Sequence, residues 1–211
     1  MVVIVNYDVG NLNSIANMLK KAGVNSVISS DPNVIRRADK LILPGVGAFD
    51  AGMEKLNERS LVPVLNESVL ERKIPVLGLC LGMQLMTSKS AEGELPGLGW
   101  IAGETLRFQF EKDQAHLKVP HMGWNVIRPV RSHPLVDQLA DDARYYFVHS
   151  YHVVCQDPSD IVAYTEYGYS IVSVIAKGNI LGAQFHPEKS HKFGLQFLKN
   201  FVKQVGDGIL E

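Results

Sequence analysis

Two cysteines and seven histidines are the side chains here best suited to nucleophilic and acid–base work. Cys80 lies in Gly78-Leu79-Cys80-Leu81-Gly82, with a glycine two positions to either side and an apolar run leading in from Val76. This is the G-x-nucleophile-x-G pattern of a sharp strand-to-helix turn, with Cys in place of Ser. Side chains must be absent at 78 and 82, because strand and helix backbones pass close together around a strained central residue. The turn lifts the thiol out of the sheet edge. It also leaves the N–H groups of Leu81 and Gly82 at a helix N-terminus, whose dipole favours a thiolate and a developing oxyanion. On the pentapeptide alone, a buried cysteine between packing glycines is an equally good account.

A thiol with an ordinary pKa near 8.5 is only a few per cent ionised at neutral pH, so a catalytic cysteine needs a base. Of the histidines at 116, 121, 133, 149, 152, 186 and 191, His186 stands out. It follows the apolar segment Asn179–Phe185 and precedes Pro187-Glu188. Pro187 fixes φ and favours a turn, so Glu188 can bend back to orient the imidazole. The plain alternative is a histidine capping a strand end.

These residues are far apart in the chain, and the fold must bring them together. Val2–Val5 reads as a buried strand, followed by a turn-rich loop at 6–11 and apolar residues at helical spacing over 12–21. A strand at 24–29, a short helix opened by Asp31-Pro32, and a strand at 41–43 follow. That strand ends in Pro44-Gly45-Val46-Gly47, and helical patterns at 49–59 and 61–71 precede the strand into Cys80. Such alternation predicts a mostly parallel central sheet with flanking helices, whose strand carboxyl ends gather along one ligand-binding edge. Beyond Gly93, short strand-like segments at 104–110, 124–129, 145–148, 161–165 and 171–175 predict an antiparallel extension of that sheet. A strand at 179–185 delivers His186, and an amphipathic helix covers 192–205. The expected architecture is one α/β domain of nucleophile-elbow type over 1–211.

Composition narrows the function. Twenty-one basic against 22 acidic residues give a net charge of −1, which offers no nucleic-acid surface. Two cysteines cannot make a disulfide framework and suit a reducing cytosol. The apolar start is too short for a signal peptide or membrane span. No metal-ligand spacing is present, so neither metal nor cofactor is expected.

Taken together, PGVG at 44–47, GLCLGMQ at 78–84 and QFHPE at 184–188 resemble the triad-type glutamine amidotransferase family. NYDVGNLNS at 6–14, PHMGWN at 120–125, YFVHSY at 146–151 and QFHPEKS at 184–190 are similar to the glutaminase subunit of imidazole glycerol phosphate synthase. The resemblance runs nearly end to end. It implies that Cys80 attacks the side-chain amide of glutamine, that His186 shuttles the proton and that Glu188 orients His186. It further implies an oxyanion hole from the Leu81 N–H and the Val46–Gly47 peptide, where Gly45 and Gly47 let the peptide rotate at little cost. A tight turn is the simpler account of that segment.

By the same resemblance, Gln84 and Glu92 bind substrate, and His149, Ser150 and Tyr151 contact its α-carboxylate and amine. His121, Met122 and Trp124 fall toward a partner or support the PGVG strand, and Lys189 falls toward that partner, a cyclase subunit of (β/α)8 type in a heterodimer. As residues alone, His149 could be an ordinary sheet histidine, Trp124 core and Lys189 a solvated charge. Two departures stand out. Asp8 occupies a position where the family often has Gly, and Ser190-His191-Lys192-Phe193-Gly194 with Leu117–Pro120 resemble a paralogous branch of surface-sugar loci. The chemistry would be the same, with a different recipient for the ammonia. A non-catalytic scaffold and a peptidase or esterase of the same fold are the other accounts. The intact Cys80, His186 and Glu188 argue against the first, and Gln84 with His149-Ser150-Tyr151 against the second.

Overall fold

The computed structural model describes residues 1–114 and 116–203. The first half alternates: β1 (Val2–Val5), α1 (Leu12–Lys21), β2 (Ser26–Ser29), α2 (Pro32–Arg36), β3 (Lys40–Leu43), α3 (Phe49–Glu58), α4 (Leu61–Asn66), β4 (Val76–Leu79) and α5 (Leu81–Leu85). Asp31 caps α2 as the sequence predicts, its carboxylate accepting from the Asn33 N–H at 2.8 Å. Then come β5 (Lys89–Ser90), β6 (Gly103–Arg107), β7 (His121–Val126), β8 (Arg128–Pro129), β9 (Arg144–His149) and β10 (Tyr151–Cys155). The chain continues through β11 (Ile161–Tyr167), β12 (Tyr169–Lys177), β13 (Ile180–Ala183) and α6 (His191–Lys203). Positions 204 and 205 of the expected last helix lie outside the described residues.

The main sheet has eight strands in the order β2-β1-β3-β4-β13-β12-β11-β8. Pairing is parallel from β2 to β13 and antiparallel from β13 to β8. Successive side chains along a strand point to opposite faces. Val3, Val5, Leu41, Leu43 and Val76 therefore pack with Phe49, Leu56, Leu65 and Leu81 on one side. Val2, Ile4, Ile42, Leu77 and Leu79 pack with Ile15, Leu19, Phe197 and Phe201 on the other. With helices on both faces, neither set of side chains meets water, which is why these strands read as continuous apolar runs.

The antiparallel region departs from the expected single extension. Only β12, β11 and β8 lengthen the main sheet; β10-β6-β5 and β7-β9 form two small separate sheets. Both are tied to segments just past the main strands' ends. The Ser88 N–H donates to the Gly103 carbonyl at 3.0 Å, and the His186 N–H to the Tyr146 carbonyl at 2.9 Å. They therefore wall in the carboxyl edge rather than extend the sheet. The helix expected over 61–71 also divides, turning into a wider π-type segment at Glu67–Glu71. There the buried Asn179 amide donates to the Val69 carbonyl (2.9 Å) and, beyond the segment, to that of Ile74 (3.0 Å), so both are satisfied.

The order β3-β4-β13 sets three motif-bearing strand ends side by side, and close backbone contact fixes their depth. A Cβ on Gly78 would lie 2.7 Å from the Gly82 carbonyl oxygen, and one on Gly82 only 1.9 Å from the Leu43 carbonyl oxygen. Gly82→Ala is therefore expected to destabilise the chain by about 3 kcal/mol or more, since backbone must move rather than a side chain. Urea unfolding checks this, and a loss under about 1 kcal/mol would contradict the packing.

Candidate active site

Cys80 joins β4 to α5 with φ +52° and ψ −110°, a conformation rare for a residue bearing a side chain. Its N–H donates to the Ala183 carbonyl at 2.8 Å, tying the elbow to β13. The following helix is only five residues long, so the expected dipole is a small one. What remains is local: among the described residues the amides of Leu81 and Gly47 have no acceptor. Gly47 sits at φ +102°, open to glycine and costly for other residues. The turn at 44–47 is braced from below by Tyr7, fully buried, whose hydroxyl donates to the Pro44 carbonyl. Burial, and then the nearby Cys80 charge, push that phenol well above its ordinary value.

His186 follows β13, with Nδ1 2.9 Å from Glu188 Oε1; both side chains are 3% exposed. Its Nε2 is buried without a hydrogen-bond partner, and Cys80 lines the same pocket. Burial disfavours the imidazolium, but the Cys80 sulfur and the Glu188 carboxylate outweigh that penalty and raise the His186 pKa. Cys80 and His186 line one pocket of about 470 Å³ together with Val46, Gly47, Leu81, Gln84, Glu92, His149, Ser150, Tyr151 and Lys189. Of the residues expected to catalyse or to bind substrate, all but Glu188 line this cavity, and Glu188 stands behind His186. A cysteine, a histidine held by a carboxylate and free amide donors around such a volume could support acyl transfer.

The family model for class-I glutamine amidotransferases matches residues 3–205. The chain belongs to that family. Imidazole glycerol phosphate synthase subunit HisH 2 of Methanococcus maripaludis is 48% identical over 205 residues, 97% of this chain and 100% of that protein. The protein of the same name from Pseudomonas aeruginosa is 49% identical over the same shares. Among solved structures, PurLQS from Thermotoga maritima superposes with a TM-score of 0.70 at 16% identity, covering 96% of this chain and 97% of that one. Among the described residues of this amidotransferase, no cluster of His, Cys, Asp or Glu is placed to hold a metal ion. No described helix is long and apolar enough to cross a membrane.

Around the triad-like set, the other expected residues divide. Gln84 is buried, not a helix-face residue in solvent; its Nε2 donates to the Tyr151 carbonyl (2.9 Å) and to Gln184 Oε1 (3.1 Å). Glu92 lines the pocket while one of its oxygens accepts the Phe49 N–H at 2.9 Å, at the start of α3. Trp124 is exposed, stacked on His191 with rings 6° from parallel, and the Lys189 ammonium lies 5.6 Å from the Tyr146 ring. Asp8 takes φ +65°, a left-handed conformation where glycine would be at ease, and its carboxylate pairs with Arg59.

His121 faces inward: it is 3% exposed, packed between Phe147 (4.8 Å) and Tyr167 (4.0 Å), with Nδ1 3.1 Å from His149 Nε2. The two-residue period of β7 turns 121 inward and sends Met122 and Trp124 out. Sequence reading passed over Gln184 and Tyr7. A lone amide in an otherwise apolar strand, and a tyrosine directly after the first strand, were the available signals.

Burial lowers His121 to about 4 and His149 to about 3, from an ordinary value of 6.5. A base whose folded pKa is depressed stabilises the fold above its unfolded pKa, and loses that contribution as pH falls toward the folded value. Stability is therefore expected to fall from pH 6.5 to 4, with each such histidine contributing about 1.4 kcal/mol per pH unit in that window. Equilibrium unfolding across this range in wild type and His121→Asn should show a shallower slope in the variant. Equal slopes would mean that His121 is not held neutral.

Proposed function

We propose that this chain hydrolyses glutamine through Cys80 and passes the ammonia to a cyclase subunit of (β/α)8 type that makes imidazole glycerol phosphate and aminoimidazole carboxamide ribotide. The observation that carries the reading is Cys80 in one pocket with His186, whose contact with Glu188 is 2.9 Å, and with Gln84. Membership of the glutamine amidotransferase family supports the substrate, and the relatives' names support the pathway.

In this mechanism the Cys80 proton passes to His186 Nε2, and the Sγ thiolate then attacks the side-chain carbonyl carbon of glutamine. The carbonyl oxygen takes up negative charge and is held by the Leu81 amide and the amide of the Val46–Gly47 peptide. His186 returns the proton to the departing nitrogen, which leaves as ammonia, and a γ-glutamyl thioester remains. Water, deprotonated by His186, then attacks the thioester; glutamate leaves, and the sulfur is freed as thiolate beside the protonated His186. Glu188 holds the ring with Nε2 toward sulfur throughout. A misplaced oxyanion donor costs about 3–4 kcal/mol, so rotation of the Val46–Gly47 peptide is large enough to switch the step on or off.

Exposed apolar side chains near the pocket support the partner. Val46 and Pro120 line it, and Val119, Pro120 and Met122 line an adjoining cleft; Trp124 is exposed on the same strand as Met122. Aromatic residues and methionine are enriched where protein interfaces bury their core. A second reading, the same chemistry feeding an amidotransferase that acts on a surface sugar, draws on His191 of the 190–194 motif, which stacks on Trp124 at 5.3 Å. Mixing the chain with each candidate cyclase and measuring glutamine hydrolysis separates the two readings. Cys80→Ala is expected to abolish glutamine-dependent synthesis by the complex while leaving synthesis from added ammonia unchanged. Persistent glutamine use would remove Cys80 from the mechanism.

A further inference from the structure

Gln184 lies between β13 and His186 and is fully buried. Its Nε2 donates to Cys80 Sγ at 3.8 Å, and its Oε1 accepts from Gln84 Nε2 at 3.1 Å. The amide orientations follow from one carbonyl. The Tyr151 oxygen can only accept, so the nitrogen of Gln84 must face it, at 2.9 Å. The same nitrogen meets Gln184 and has a hydrogen left to give, so Gln184 must present oxygen to Gln84 and nitrogen to sulfur. Reversing Gln84 would set two carbonyl oxygens against each other, and reversing Gln184 would set two amide nitrogens against each other. The Tyr151 carbonyl is itself held, since it also lies 2.8 Å from His149 Nδ1 and its strand pairs with Arg107.

From this geometry we infer that Gln184 is a further catalytic residue, an N–H donor locked onto the Cys80 sulfur by the Tyr151–Gln84 relay. The inference rests on Cys80 being the nucleophile of the proposed glutaminase. A donor aimed at sulfur from a site closed to water stabilises the thiolate over the thiol, because hydrogen bonds to an ionised acceptor are the stronger kind. Gln184 adds to what His186 does without moving a proton itself: it holds negative charge on sulfur before attack and after the thioester is hydrolysed.

Gln184→Met keeps the side-chain length and removes the donor. Rates of Cys80 carbamidomethylation by iodoacetamide, followed against pH and resolved from Cys155 by peptide mass spectrometry, read thiol ionisation directly. The expected result is a midpoint about one pH unit higher than wild type at unchanged melting temperature. In the complex with the cyclase, kcat for glutamine is expected to fall on the order of ten-fold with KM little changed. An alkylation profile that coincides with wild type overturns the inference. If the methionine variant does not fold, Gln184→Glu carries the test. It keeps the acceptor for Gln84 but sets a carboxyl group against sulfur, so its midpoint should move up further, and no movement again overturns the inference. Absence of glutamine hydrolysis by the wild-type complex would instead strike at the proposed function, while the alkylation comparison would still decide the role of Gln184.

Discussion

The contact on which the site depends is backbone against backbone, where the first turn of α5 rests on the ends of β3 and β4. With Gly82 against the Leu43 carbonyl and Gly78 against the Gly82 carbonyl, α5 sits closer to the sheet than any side chain would permit. Cys80 bridges that gap at φ +52°, a conformation costing about 1–3 kcal/mol for a residue with a side chain. Burial of Leu81, Met83 and Leu85 in the core offsets the strain, at roughly 1.5–3 kcal/mol for each fully buried apolar side chain. The thiol is thereby presented at the sheet edge by well-packed surroundings rather than by a mobile loop.

Strand order then does for His186 what the elbow does for Cys80. β13 is late in the chain, yet it inserts between β4 and β12, with Ala183 in register with Leu79. His186 therefore emerges beside Cys80, and both line the pocket. Pro187 and a short 3-10 turn over Pro187–Lys189 swing Glu188 back beneath the ring. On the other flank, β3 ends in the Pro44–Gly47 turn that contributes the Gly47 amide. Three adjacent strands, each followed by residues that line the pocket, account for a cavity assembled from distant segments.

What could be read from the sequence follows the same physics. The parallel half was legible because buried strands and amphipathic helices leave strong periodic signals, and the elbow because two glycines at fixed spacing have a steric cause. The small sheets were less legible. β10 reads Tyr-His-Val-Val-Cys, a short strand whose partner β6 lies far upstream, and no local pattern says which sheet a short strand joins. The inward facing of His121 was hidden for a related reason: it is set by the 121–149 register of β7 with β9, a tertiary fact. Gln184 was passed over because a hydrogen bond to sulfur leaves no periodic trace.

The buried histidines show how one site keeps neighbouring imidazoles in opposite states. His149 Nδ1 meets the Tyr151 carbonyl, so it must carry the proton, and Nε2 is left to accept. His121 Nδ1, 3.1 Å away, must then be protonated, and its Nε2 accepts from the Asn125 amide, which also donates to the Glu166 carbonyl. Each ring thus has one donor and one acceptor in use, with no place for a second proton, and burial holds both neutral. His186 meets the opposite surroundings: a carboxylate at Nδ1 and sulfur beyond Nε2, which together favour the imidazolium. Charge on His186 further lowers His149, so the two states reinforce each other. Environments that push like groups apart are how a protein assigns acid–base work. Here one carbonyl, that of Tyr151, fixes the tautomers on the neutral side and, through Gln84 and Gln184, the donor that faces sulfur.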